Sequence, residues 1–418
     1  MSIFFIIIIG ILLFEYVLNC MVSYLNLGAL DPKLPEEFIK TFDEEKYIKT
    51  QEYTKVNTKY SFLTSTLSLV ISLSFIFGGI YNEIDLYVRS IGFNDIIITG
   101  LCFFGILTII SDILTIPFSL YKTFVIEERF GFNKMKLSTF FIDKIKGYLL
   151  MILMGGPLLY SILYFFENFT EFGWLYVWIL LVSFSIIIQP IFNIFIAPLF
   201  NKFTPLEEGP LLDKIKAYLA KVNFPVKKLE VMDGSKRSSH SNAYFSGIGS
   251  NKRIALFDTL VEQMDDDEIV SIIAHEVGHY KLKHIYTGIL LSAIQSGVMF
   301  YIMSLFLLNE NLFSVFKMDN LSIYASLLFF SMLYAPISMI LGVFFSAISR
   351  RNEFSADAYS VETAKMPNSM ISSLKKLSKE NLSNLTPHWL NVFLNYSHPP
   401  VLDRLNSIRK LEKKSRLI

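Results

Sequence analysis

Seven stretches of about 20 apolar residues run through this chain, each long enough to cross a bilayer as a helix. They lie at 3–25, 60–81, 96–120, 148–166, 174–200, 286–308 and 323–348. Lipid offers backbone N–H and C=O groups no water, so such stretches are confined to helices that satisfy themselves. The expected fold is therefore mainly α, a polytopic membrane protein with seven transmembrane helices. Charged residues make up only 18% of the chain, against about 25% in soluble domains. The first run lacks a basic leader and a small-residue cleavage site, so it reads as a retained span. A net charge of +1 gives no global field to attract nucleic acid. Cys20 and Cys102 both lie in apolar runs, which argues against a cysteine metal site or a disulfide framework.

The connecting segments set the orientation. Residues 28–59 carry Lys33, Lys40, Lys46, Lys49, Lys55 and Lys59, and residues 121–147 are equally basic. The segments 201–285 and 349–418 are also rich in Lys and Arg. The alternate loops are nearly bare: Arg89 in 82–95, none in 167–173, Lys317 in 309–322. Basic loops stay cytosolic. The expectation is a lumenal N-terminus, with 201–285 and the C-terminus cytosolic. The chain then divides into transmembrane helices one to five with their connecting loops (1–200), a cytosolic catalytic segment (201–285), helices six and seven (286–348) and a C-terminal segment (349–418) that completes the catalytic part. Glu15 and Asp112 sit within spans. Each either lines an internal chamber or pairs with a neighbouring helix.

The chemistry centres on His275-Glu276-Val277-Gly278-His279. Asp265 through Glu268 precede helical apolar spacing at Ile269, Ile272 and Ile273, and Asp265 with Glu268 forms a candidate capping box. Histidines four apart lie one turn apart on one helix face. There they share a zinc ion, with Glu276 in reach of its water. A catalytic zinc takes three protein ligands and keeps one position open. Glu353 is the candidate third ligand. Asp357, one turn on, can accept the free ring N–H of a zinc-bound histidine. In this scheme Glu276 takes the water's proton as general base and delivers it to the leaving amine.

The tetrahedral intermediate needs a further donor. His398, fixed ahead of Pro399 and Pro400, is either that donor or a turn residue. Arg404 either holds a substrate carboxylate or forms a structural salt bridge. Short strands are expected at 229–232, 243–245 and 253–257, with turns at Asp233-Gly234 and 247–250. The resulting small sheet either offers an edge to an extended peptide or simply supports the zinc helix.

The zinc helix, the segment Asn352 to Asp357, the run Gly234 to Phe245, Phe257-Asp258-Thr259-Leu260 and Ser397-His398-Pro399-Pro400 together resemble the CAAX prenyl protease 1 family. Glu127 to Phe132 and Asn201 to Leu206 resemble it too, so the likeness covers nearly the whole chain. The resemblance implies a helical barrel of seven membrane helices around a water-filled chamber, capped by a cytosolic zinc metalloprotease domain. It implies removal of the last three residues of prenylated (farnesylated) Cys-a-a-X proteins, in some members with a second upstream cut. It implies one zinc per chain held by His275, His279 and Glu353, with Glu276 as base and Asn242, His398 and Arg404 close to the active site. The membrane would be that of the endoplasmic reticulum, in some members also the inner nuclear membrane. The competing expectation is a membrane quality-control zinc protease, a family that usually has fewer spans.

Overall fold

The computed structural model describes residues 2–169, 171–246 and 252–415. Among them, seven helices are long and apolar enough to cross a membrane: Ile3–Gly28, Glu44–Gly78, Ile96–Glu127, Leu137–Asn168, Gly173–Phe200, His284–Ser304 and Ile323–Ala364. They coincide with the seven apolar runs, and the chain is a multi-pass integral membrane protein. The expected turn at 247–250 lies outside the described residues.

Several helices run past the bilayer. The seventh has 42 residues, about 63 Å at 1.5 Å per residue, against about 30 Å of hydrocarbon. Its apolar run ends at residue 348, yet the helix continues unbroken. No proline follows Pro336 until Pro367, and the helix stops where Lys365 takes a left-handed φ of 59°. The second helix starts early, at Asp43, whose side chain accepts from the Lys46 N–H at 2.7 Å. Lys46, Lys49, Lys55 and Lys59 therefore ride on a helix rather than a loop. The segment 82–95 also holds a helix, Ile80–Ser90, in which Arg89 pairs with the buried Asp85 at 2.8 Å. That pairing neutralises the one basic residue expected in this loop.

The bundle is packed at one end and hollow elsewhere. Phe103, Phe316, Tyr324 and Phe329 are fully buried in a cluster that joins the third and seventh helices to the 309–322 connection. Further along, Thr64, Ser68 and Ser72 fall four apart on the second helix, and Ser111, Thr115 and Ser119 do so on the third. Both hydroxyl rows face a cavity of about 520 Å³. A second cavity of about 630 Å³ is lined by Asn19, Ser23, Asn26, Asn57, Asn391 and Asn395. Amides and hydroxyls at membrane depth carry a desolvation cost unless they meet water or protein. The amide-lined cavity suits water; in the other, Thr64, Thr115 and Ser119 donate to carbonyls one turn back on their own helices, between apolar walls. Asp112 accepts hydrogen bonds from Lys144 and Tyr148. Of its two expected roles, it takes the pairing between neighbouring helices.

The extramembrane part holds a four-stranded sheet: β1 (Phe203–Pro205), β2 (Lys228–Met232), β3 (Ala243–Ser246) and β4 (Arg253–Phe257). The order is β1-β2-β4-β3, with β2 and β4 parallel and the outer pairs antiparallel. The three expected strands are present. The short β1, with Pro205, gave no alternating pattern to read. β4 and the metal helix, Asp266–Lys281, bury Ile254, Leu256, Ile269, Ile273 and Val277 in one core. The run from Gly234 to Ser241 docks this unit onto the membrane helices. Arg237 donates to both oxygens of Asp143 at 2.8 and 3.0 Å and to Asn201 at 3.0 Å. Ser239 and Lys134 complete a backbone pairing across 132–134 and 237–239, and His240 stacks on Phe132 at 3.8 Å.

Arg237→Ala removes the bidentate partner of a partly buried Asp143, leaving only Lys146, at 3.9 Å, among the described residues. The expected loss is about 1.5–3 kcal/mol, the value of hydrogen bonds to charged groups. Thermal unfolding of the detergent-solubilised protein reads it, and an unchanged unfolding temperature would contradict the docking role.

Candidate metal centre

The metal helix begins with reciprocal capping. Asp265 accepts from the backbone of Glu268, and Glu268 accepts from the Asp265 N–H at 2.9 Å. The helix packs most extensively against the extramembrane half of the seventh membrane helix. Gly278 permits the close approach: a Cβ there would stand 3.2 Å from the Ala356 Cα and from the Tyr359 side chain. Two ligand-bearing helices are thereby brought side by side, with His275 and His279 on one and Glu353 and Asp357 on the other.

Three donor groups converge between them. His275 Nε2 and His279 Nε2 are 3.0 Å apart. His275 Nε2 lies 3.4 Å from Glu353 Oε2, and His279 Nε2 lies 3.2 Å from Glu353 Oε1. Ligand atoms about 2.0–2.1 Å from one tetrahedral ion stand about 3.3 Å from each other, so these spacings fit a single metal. Two further observations favour a cation. Among the described residues, the buried Glu353 Oε2 makes no hydrogen bond and has only two long charged contacts, His275 Nε2 and an Arg404 nitrogen, each at 3.4 Å, so it is underused as an acceptor. Once the His275 proton is displaced, the pocket sets three carboxylates, Glu276, Glu353 and Asp357, against one cation, Arg404. A divalent ion balances that excess.

The outer nitrogens of the histidines are braced. His275 Nδ1 is 2.8 Å from Asp357 Oδ1, and Asp357 is fully buried. Arg404 clamps Asp357 in turn, donating from Nε to Oδ2 at 2.8 Å and from Nη2 to Oδ1 at 2.6 Å. Its Nε and Nη2 are taken by this carboxylate, its Nη1 lies 3.4 Å from Glu353 Oε2, and the side chain is only 12% exposed. Of the two roles open to Arg404, the geometry is that of the structural ion pair. Burial would pull the His275 imidazole down. Its bonds to Asp357 and Glu353 outweigh that and hold it up at about 9. Burial pushes the Glu276 carboxyl up, the direction that makes a carboxylate a stronger base.

His398 is also at the centre. Its Nε2 is 3.4 Å from Glu353 Oε1, while 65% of its side chain is exposed. Asn242 heads the edge strand β3, is exposed, and makes a local bond, its Oδ1 accepting from the Ala243 N–H at 2.8 Å. β3 packs against the metal helix.

One residue at the centre escaped the sequence reading. His284 Nδ1 lies 3.0 Å from His279 Nδ1. Five residues apart on a continuous helix, the two would sit about 140° apart around the axis. A turn at Lys283, with φ 60°, brings them together.

A family profile described as CAAX prenyl protease N-terminal, five membrane helices, matches residues 23–202, and one described as peptidase family M48 matches 205–412. The CAAX prenyl protease 1 homolog of Oryza sativa subsp. japonica is 35% identical, with 92% of each chain covered. CAAX prenyl protease 1 of Saccharomyces cerevisiae is 32% identical over 92% of this chain and 90% of its own. The crystal structure of S. mikatae Ste24p superposes with a TM-score of 0.92 at 31% identity, covering 98% of this chain and 99% of that one. The chain belongs to the CAAX prenyl protease 1 family. Membership of that family and of the M48 peptidases makes it a membrane metalloprotease, and the hollow helical bundle is the family fold.

Two outcomes follow from the centre. Asp357→Asn should lower metal affinity about 10–100-fold, as loss of such an orienting carboxylate does; competition with a chelator measures it, and wild-type affinity would refute the bracing role. Metal must also displace the proton that His275 holds below about pH 9. Apparent affinity should therefore rise with pH up to that point, roughly tenfold per unit. A flat profile in metal-buffered titrations would contradict it.

Proposed function

We propose that this chain is a zinc endopeptidase that removes the last three residues of prenylated, typically farnesylated, Cys-a-a-X proteins. The observation that carries the reading is the convergence of His275 and His279 on the metal helix with Glu353 on the seventh membrane helix, with Glu276 next to His275 in the chain. Two histidines and one glutamate are a donor set of catalytic zinc sites, and H-E-x-x-H supplies its base on the same helix. The relatives above are named for prenylated CAAX substrates, which supports the substrate class.

Bound there, zinc polarises the scissile carbonyl and makes water acidic enough to attack near neutral pH. This chain's residues do the rest. Glu276 takes the proton of the attacking water and passes it to the leaving amine. His398, exposed beside Glu353, is the candidate donor to the developing oxyanion, with Asn242 as a second. Asp357 holds His275, and Arg404 holds Asp357, so Arg404 acts as a positioning residue. An extended substrate tail adds to the edge strand β3, next to the metal helix.

The catalytic unit is assembled from 201–285 and 349–418 around the membrane helices of 1–200 and 286–348. The basic segments support a cytosolic catalytic unit and a lumenal N-terminus, and the likeness to CAAX prenyl proteases supports the endoplasmic reticulum as the membrane. Its partners are prenylated substrates and membrane lipid.

Glu276→Gln should abolish cleavage of a farnesylated Cys-a-a-X peptide, by about 10²–10⁴-fold, while bound metal and fold are retained. A parallel peptide with a bare cysteine should be cut more slowly by the wild-type enzyme. Cleavage at the wild-type rate by the variant would sink the mechanism, and equal rates on both peptides would sink the prenyl preference.

A further inference from the structure

We propose that His284 is a positioning residue for the metal ligand His279, and that through it the sixth membrane helix holds one side of the metal centre. The inference rests on the zinc-protease reading above and adds a residue to it.

The argument starts from ring geometry. His279 turns Nε2 toward His275 and Glu353, at 3.0 and 3.2 Å. The two nitrogens of an imidazole point away from each other, so Nδ1 faces outward. There it meets His284 Nδ1 at 3.0 Å, with the two rings edge to face, their centroids 5.1 Å apart. One proton lies between two nitrogens at that distance, and its owner matters. If His284 donated it, the neutral His279 ring would carry its own proton on Nε2 and could not ligate. If His279 donates, its Nε2 lone pair is free and aimed at the ion. Metal ligation therefore requires His284 as the acceptor, protonated on Nε2. His284 cannot be a ligand of the same ion, because it stands behind the ligand ring.

The arrangement mirrors that of His275, whose Nδ1 faces Asp357 at 2.8 Å. Each ligand histidine thus has an acceptor behind it, and the acceptors come from different membrane helices. Asp357 belongs to the seventh, Ile323–Ala364. His284 is the first residue of the sixth, His284–Ser304, entered through the left-handed Lys283. That turn brings position 284 back over the metal helix. A change in the angle of the sixth helix is felt directly at the His279 ring.

The test uses the full-length protein in detergent. His284→Phe removes the acceptor; His284→Asp restores one. The phenylalanine variant should bind zinc about 10–100-fold more weakly in chelator competition, as loss of an outer partner does. Its cobalt-substituted form should show a shifted visible spectrum. The aspartate variant should recover most of both. Lys283→Val keeps the imidazole but disfavours the left-handed turn, and should weaken metal binding in the same direction. Wild-type affinity and cobalt spectrum in His284→Phe would overturn the proposal, as would an aspartate variant no better than the phenylalanine one. If His284→Phe does not purify as folded protein, Lys283→Val decides: wild-type affinity and spectrum there overturn the proposal. Activity is not the readout, so failure here is distinct from failure of the protease reading, which Glu276→Gln tests.

Discussion

Everything at the centre depends on the fully buried carboxylate of Asp357. It sits between His275 on the metal helix and Arg404 near the C-terminus, 2.8 Å from one and bidentate with the other. A buried charge without partners is costly. Asp357 can be buried only because both neighbours converge on it. The demand works in both directions: the chain must bring residues 275, 357 and 404 together before the carboxylate can leave water. Gly278 lets the two helices close far enough for that contact. The crossing then places Glu353, one turn away, opposite both histidines.

The membrane part obeys the opposite rule. Its spans leave most of their surface unburied within the protein, because they face lipid outside and a hollow inside. Amides around the first helix make one part of the hollow polar, while the hydroxyl rows on the second and third helices interrupt a mainly apolar wall in the other. Rigidity comes from the aromatic cluster at one end and from polar ties at the other, where Arg237 grips Asp143 and Asn201. A chamber can stay open between two such fixed ends without a packed core at its middle.

Much of this was legible in the sequence. The seven apolar runs gave the spans, because length and hydropathy are local properties. The capping box at Asp265 and Glu268 and the four-residue spacings of the histidines and acids gave the helix faces. What the sequence did not show was set by a break in periodicity or by a contact that no spacing announces. The end of the seventh span at residue 348 is a boundary of hydropathy, and the helix ignores it. The partner of His279 was hidden because Lys283 changes the direction of the chain, and nothing in its side chain announces a left-handed backbone. Arg404 is written as a charge four residues past Pro400. Only the fold says that Asp357 uses that charge.

The long seventh helix also bears on where cleavage happens. Its apolar run ends at residue 348 and Glu353 follows five residues on, about 7–8 Å further along the axis. Under the proposed activity, the scissile bond is the one immediately after the lipid-bearing cysteine. An extended chain advances only about 3.4 Å per residue, so the reacting carbonyl stands within a residue or two of a group that belongs in the apolar layer. A metal centre on a detached soluble domain would force the substrate to leave the membrane first. A ligand carried on the uninterrupted end of a membrane helix sets the depth of the site by covalent geometry. The unbroken run from Ile323 to Ala364 therefore holds Glu353 at a fixed distance from the end of the apolar run.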